Sequence, residues 1–145
     1  MKYKMILNGC SGSLAVRAKE LYKFALDNLG GWKAETTIII HDGQADRQWL
    51  VDTAFTDRCI LLKIGGYHPE TILNVLPGYC RDADVLLCPG DYFSEELTVR
   101  LACRLGGGSL VSANALRAEG GKIFCDKKVY SQQLRAVFEM VKSPV

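Results

Sequence analysis

The residues best suited to chemistry in this chain form one short turn, Asn8-Gly9-Cys10-Ser11-Gly12-Ser13. Two glycines and two serines between an apolar run and a helical pattern expose backbone N–H groups at a helix start, which attracts anions. The turn has neither the Gly-x-Gly-x-x-Gly spacing nor the lysine of a phosphate-binding loop. Its plain reading is a tight strand-to-helix turn. Its sharper reading is a nucleotide loop in which Gly9, Ser11, Gly12 and the later Gly90 hold a small adenine nucleotide. Nucleophilic catalysis has less behind it, because a serine or cysteine needs an oriented base. His41 and His68 have no evident Ser or Cys partner in the sequence. Glu95-Glu96 are adjacent on a helix, point in different directions, and are explained by helix-terminus electrostatics. Trp32 and Trp49 read as packing residues. No catalytic residue is assigned, and the chain is expected not to be an enzyme.

The cysteines Cys10, Cys59, Cys80, Cys88, Cys103 and Cys125 contain no Cys-x-x-Cys pair, and several stand in apolar runs. They read as reduced, buried thiols that pack as small hydrophobes. No metal site is expected, since tetrahedral sites need clustered ligands.

The elements that position the turn follow from periodicity. Tyr3 to Asn8 is a first strand. Leu14, Ala18, Leu21, Ala25 and Leu29 recur at helical steps, with Lys19, Lys23 and Asp27 off the stripe and Gly30-Gly31 as a stop. Thr36 to Ile40 is a strand buried on both faces. Asp46 to Phe55 is a short helix, Cys59 to Ile64 a third strand, and Pro69 opens a helix to about Cys80 that Pro77-Gly78 interrupts. Asp84 to Cys88 is a fourth strand. Ser94 is read as the N-cap of the next helix, with Glu95 and Glu96 at its positive end, Leu97, Leu101 and Leu105 as its stripe, and Gly106-Gly107-Gly108 as its end. Arg100 and Arg104 are read as interacting with the far end of that helix. Ser109 to Ser112 is a fifth short strand. Ala115 to Cys125 forms a hairpin about Gly120-Gly121, and Leu134, Ala136, Phe138 and Met140 alternate as a strand with one face buried.

Strands alternating with helices imply an α/β fold: a three-layer α/β/α, doubly wound, mostly parallel sheet, with antiparallel strands added at the C-terminal end. Ligands of such a sheet lie at the carboxyl ends of its strands, here the loops 9–13 and 89–93. Eighteen Lys and Arg against sixteen Asp and Glu leave a net charge of +2, which argues against a nucleic-acid binder. Apolar runs are strand-sized, and the amino terminus reads as a strand rather than a signal peptide. No membrane insertion is expected, and the protein is expected to be cytoplasmic.

The second half resembles the amino-terminal domain of electron transfer flavoprotein alpha subunits. Ala83-Asp84-Val85-Leu86-Leu87 is similar to the family's Ala-Asp-hydrophobic strand. Without a gap, Leu97-Thr98-Val99-Arg100-Leu101-Ala102-Cys103-Arg104-Leu105-Gly106 is similar to its Leu-Ala-Pro-Arg-Leu-Ala-Ala-Arg-Leu-Gly. Leu110-Val111-Ser112, Val129-Tyr130 and Lys142-Ser143-Pro144 also resemble family segments. The specific likeness covers residues 83 to 145, and the layout covers the chain. The family commonly has Gly-Arg where Ser94-Glu95 stands and Gly-Gly-Asn where Ser131-Gln132-Gln133 stands.

The resemblance implies a Rossmann-like, adenine nucleotide alpha hydrolase-like domain spanning 1–145, with the FAD-binding carboxyl-terminal domain, which would begin just after Pro144, absent. It implies a heterodimer with a beta subunit that carries electrons singly from flavoprotein dehydrogenases to a membrane quinone reductase or another acceptor. FAD belongs to the full complex; no FAD-contact residue is expected in this chain, and none of the cofactor in the isolated domain. The chain is either a truncated piece or a free-standing relative, and its end at an expected domain border favours truncation. The alternative is a small adenine-nucleotide-binding module of the universal-stress, nucleotide hydrolase-like class.

Overall fold

Ile38, Ile39 and Ile40 are all fully buried, which a strand achieves only with packing on both faces. The computed structural model describes residues 1–66 and 68–144, so Val145, the last residue of the stretch carrying the resemblance, lies outside the described residues. The elements are β1 (Lys2–Asn8), α1 (Leu14–Asn28), β2 (Lys33–His41), α2 (Arg47–Asp52), β3 (Arg58–Lys63), α3 (Pro69–Val75), α4 (Pro77–Cys80), β4 (Val85–Leu87), α5 (Tyr92–Leu105), β5 (Ala115–Glu119), β6 (Lys122–Val129) and β7 (Leu134–Met140). The first four strands form a parallel sheet in the order β3-β2-β1-β4. The last three form a separate antiparallel sheet in the order β5-β6-β7. Among the described residues no helix is long and apolar enough to cross a membrane.

Alternation along the strands feeds two cores. Met5, Leu7 and Ile39 pack with the α1 stripe Leu14, Ala18, Leu21 and Ala25 and with Leu50 of α2. Ile6, Ile38 and Ile40 pack with Ile72 and Leu73 of α3 and Leu97 and Leu101 of α5. Each fully buried Ile or Leu contributes about 1.5–3 kcal/mol. The α1 stripe thus does what its spacing predicts. The break at Pro77 is also where expected, because proline offers no N–H to continue α3.

Five expectations are corrected. Asp91, not Ser94, caps α5: its carboxylate accepts from Ser94 N at 2.8 Å, and Ser94 is buried in the first turn. Arg104 stands in the last turn of α5 as expected, but neither arginine only caps that helix: both pair with Glu70 of α3, Arg100 also pairs with Glu96 at 3.0 Å, and Arg104 donates to Asn74 at 3.1 Å. Residues 109–112 form no strand; they run irregularly into a turn where Ser112 has a φ of 58°. The tail does not extend the parallel sheet, because Leu116, Ile123 and Cys125 pack into the α1 core and Leu116 N donates to Asn28 Oδ1 at 3.0 Å. The inner face of β7 is only partly covered: Leu134 is 57% and Phe138 40% exposed.

The two hairpin turns contrast. Gly120 and Gly121 take φ values of 57° and 80° in a two-residue turn that demands them. The β6–β7 turn places Tyr130, Ser131 and Gln132 at 51°, 52° and 69°. Left-handed backbone costs a side-chain-bearing residue about 1–2 kcal/mol.

At the amino-terminal end of the sheet, the buried Lys4 ammonium donates to Asp82 Oδ1 at 2.5 Å and to Tyr79 O at 2.8 Å, and Lys2 donates to Asp82 Oδ2 at 3.0 Å. These bonds, Lys4's above all, hold the Asp82 carboxyl down to about 2.

Two outcomes follow. Gln132→Gly stabilises the chain by about 1 kcal/mol, a rise of about 2–4 °C in Tm; an unchanged or lower Tm in a thermal melt refutes strain at this turn. Because the Asp82 pKa is depressed on folding, its contribution is complete above the ordinary 3.8 and is lost as pH falls toward about 2. Denaturant titrations across that window show a shallower acid loss in Asp82→Asn than in the native chain.

Candidate functional site

In the order β3-β2-β1-β4 the sheet reverses its direction of growth between β1 and β4, and ligands of open parallel sheets favour that place. Two loops meet the carboxyl ends of these strands, 9–13 after β1 and 88–91 after β4.

The β1 loop is largely engaged with its own chain. Gly9 N donates to Ile40 O at 2.7 Å. A Cβ on Gly9 would lie 2.7 Å from Ile39 Cγ2 and 3.1 Å from both Ile40 O and Leu50 Cδ2. Glycine stands there because α2 and the end of β2 press on the turn. Cys10 N donates to Asn8 Oδ1 at 3.0 Å, Ser13 N donates to Ser11 Oγ at 3.2 Å, and the Ser11 and Ser13 hydroxyls lie 2.7 Å apart. Gly12 faces open space. On the neighbouring β2 loop, Gly43 N donates to His41 Nδ1 at 3.1 Å.

The β4 loop borders a cleft of about 240 Å³ along the outer side of β4. Leu21 and Phe24 of α1, Val85 and Leu87 of β4, and Leu110 and Val111 give it a mostly apolar wall. Gly90, Glu95, Arg17 and Glu20 also line it, the last two joined by an ion pair of 3.1 Å. Of the four residues of the sequence-derived nucleotide loop, Gly90 lines this cleft, and Gly9, Ser11 and Gly12 do not. The cleft depends on two things the sequence did not display: residues 109–112 failing to pair with β4, and α1 presenting Phe24 beside that edge. Nothing in local spacing encodes either, since the walls come from segments 20 to 100 residues apart.

Burial disfavours the thiolate at Cys80, Cys88 and Cys125. Burial pushes Cys80 up to about 12, and Cys88 and Cys125 up to about 11. Such groups are poor nucleophiles and poor ligands at neutral pH. Cys80 and Cys125 are buried as expected, whereas Cys10 and Cys103 are exposed, which corrects the expectation that the cysteines are buried. The Cys10 thiol is raised by partial burial and then by the charge of Asp42. Trp32 packs on the α1 core, and Trp49 is exposed on α2.

No protein-family model matches the chain, and no curated protein matches it.

The two glycines of the first loop separate packing from openness. Gly9→Ala destabilises by about 1–3 kcal/mol, an overpacking cost, while Gly12→Ala stays within about 0.5 kcal/mol of the native chain. Denaturant midpoints measure both; equal values for the two variants refute this account of the turn.

Proposed function

We propose that the chain is a scaffold and docking domain of the electron transfer flavoprotein alpha type, Rossmann-like and adenine nucleotide alpha hydrolase-like in its parallel half, and cytoplasmic. One observation carries the proposal. Glycines of the family pattern fall at positions where this backbone is left-handed. The Gly that closes the Arg-Leu-Gly pattern is Gly106, the C-cap of α5, at φ 71°. The family's Gly-Gly at 131–132 falls on Ser131 and Gln132, at φ 52° and 69°. Left-handed backbone favours glycine, so the family's pattern suits the helix end and the turn that this chain forms. The other matched residues are consistent with it, since Leu97 and Leu101 are the buried stripe of α5 and Ala83 is buried before β4.

In this reading the domain positions a redox centre held elsewhere. Electrons pass singly through an FAD carried by a carboxyl-terminal half and a beta subunit, and this chain supplies shape and contact surface. The cleft beside β4, at about 240 Å³, falls below the roughly 300–1,000 Å³ of ordinary cofactor sites. That size disfavours a dinucleotide such as FAD, and no electron-transfer step is routed through these residues. The loop 9–13 groups bonded to one another favour the scaffold over the small adenine-nucleotide module.

The expected outcome is colourless protein that leaves FAD fluorescence unquenched on titration, and a yellow ternary complex when a flavin-binding carboxyl-terminal half and a beta subunit are added. Stoichiometric FAD binding by the chain alone overturns the reading. So does a rise in Tm with millimolar AMP or ATP, because a binder at a hundred times its Kd gains about 2.7 kcal/mol.

A further inference from the structure

Among the described residues β7 is an outer strand paired with β6 alone, yet it exposes apolar side chains on both faces. Leu134, Val137 and Phe138 are 57%, 51% and 40% exposed. Unpaired edges of this kind are normally covered or blunted by charge. The charges of β7 are Arg135 and Glu139, of opposite sign and equally spaced about Val137.

Which backbone groups face the open edge follows from the ladder. The two-residue turn at Gly120-Gly121 makes Glu119 and Lys122 a hydrogen-bonded pair. Asn114 N donating to Asp126 O at 2.8 Å, and Lys128 N donating to Asn114 Oδ1 at 2.7 Å, continue the alternation on that side of β6. Cys125 and Lys127 therefore point their backbone groups at β7, toward Phe138 and Ala136. The outward N–H and C=O groups of β7 are then those of Arg135, Val137 and Glu139.

We infer that β7 pairs antiparallel with β7 of a second copy of this chain, about a two-fold axis at Val137, joining two three-stranded sheets into one of six. In that register Val137 opposes itself, and Arg135 opposes Glu139 of the other copy, each pair exchanging both backbone hydrogen bonds. On the inner face Phe138 meets Ala136, and Leu134 meets Met140. Every charged residue of the strand meets its opposite, and the apolar residues of the inner face meet one another. A shift of two residues either way sets a charge against Val137. A strand with two like charges would oppose pairing in all of these registers; this one opposes all but one. The charge pattern also continues across the outer face, where Lys122 already pairs with Glu139 at 2.8 Å and Arg135 with Asp126. Isologous contacts require this kind of self-complementarity. The inference is independent of the electron-carrier reading, since it needs only the β7 edge.

Sedimentation equilibrium of the full chain tests it. The native protein sediments as a dimer that dissociates on dilution; a monomer up to millimolar concentration overturns the inference. Val137→Pro removes only an outward N–H, so it keeps the monomer's ladder and its circular dichroism, while raising the dimer dissociation constant at least about thirtyfold. A folded Val137→Pro protein that still dimerises as tightly assigns the dimer to another face and refutes the pairing. Charge swaps test the register. Arg135→Glu alone sets Glu against Glu, and Glu139→Arg alone sets Arg against Arg, so each is weakened as a homodimer. Mixed together the two variants restore opposite pairs on both sides and form a heterodimer. Failure of the folded mixture to associate refutes the register.

Discussion

Double-sided burial of the two central strands constrains everything else in this molecule. β1 and β2 send alternate side chains into separate cores, Leu7 and Ile39 to one side, Ile6, Ile38 and Ile40 to the other. Neither core exists unless helices cover both faces, so α1 and α2 lie on one side and α3, α4 and α5 on the other. That division places the reversal of strand order between β1 and β4. It also leaves β4 as an outer strand, with the cleft at its side. The position of the cleft is thus a consequence of how the two cores are filled, not of any residue lining it.

The ends of the parallel sheet are treated differently. At the amino-terminal end a buried lysine is held by Asp82, by the Tyr79 carbonyl and, at 3.5 Å, by Glu35. A lysine deprived of water needs such partners, and here they tie β1, the start of β2 and the segment before β4 together. At the carboxyl-terminal end the polar groups are small: the Asn8 side chain, the Ser11 and Ser13 hydroxyls, and the His41 ring each bond to a neighbour within a few residues. One end is clamped by long-range charge and the other by short turns. Stability at acid pH therefore reports on the end away from the candidate site.

Much of this was legible because it is local. Helical spacing picked out Leu14, Ala18, Leu21 and Ala25, β-branching picked out the strand around Ile38 to Ile40, and Pro77 broke the helix where its missing N–H requires. What was not legible depends on competition between segments. Ser94 and Asp91 are both good caps, and the choice fell to the one whose carboxylate reaches the N–H three residues on. Ser109 to Ser112 has the composition of a strand, but the positive φ of Ser112 turns the chain away. Gly9 and Gly12 are the same residue type in one turn; contact with Ile39 and Leu50 makes the first indispensable and leaves the second free. Gly9, Ser11, Gly12 and Gly90 share the chemistry of a nucleotide loop, but of the four only Gly90 reaches the cleft.

The edges of the two sheets show how the second sheet differs from the first. β3 has Arg58 and Lys63 at its ends, charges that discourage further pairing. β4 has residues 109–113 across the cleft beside it, and the Ser143 hydroxyl donates to Asp84 O at 3.3 Å just before it. β5 donates the Leu116 N–H to Asn28, at the end of α1. Among the described strands β7 combines exposed apolar side chains on both faces with charges that cancel about its own centre. The inner face of its sheet is anchored on the α1 core through Leu116, Ile123 and Cys125 and then runs on past that core to Phe138 and Leu134. A surface that begins inside one hydrophobic core and ends in the open is built to continue into another, because apolar area left in water is a cost that association removes. The parallel half supplies rigidity, and the antiparallel half carries that rigidity to a boundary shaped for contact.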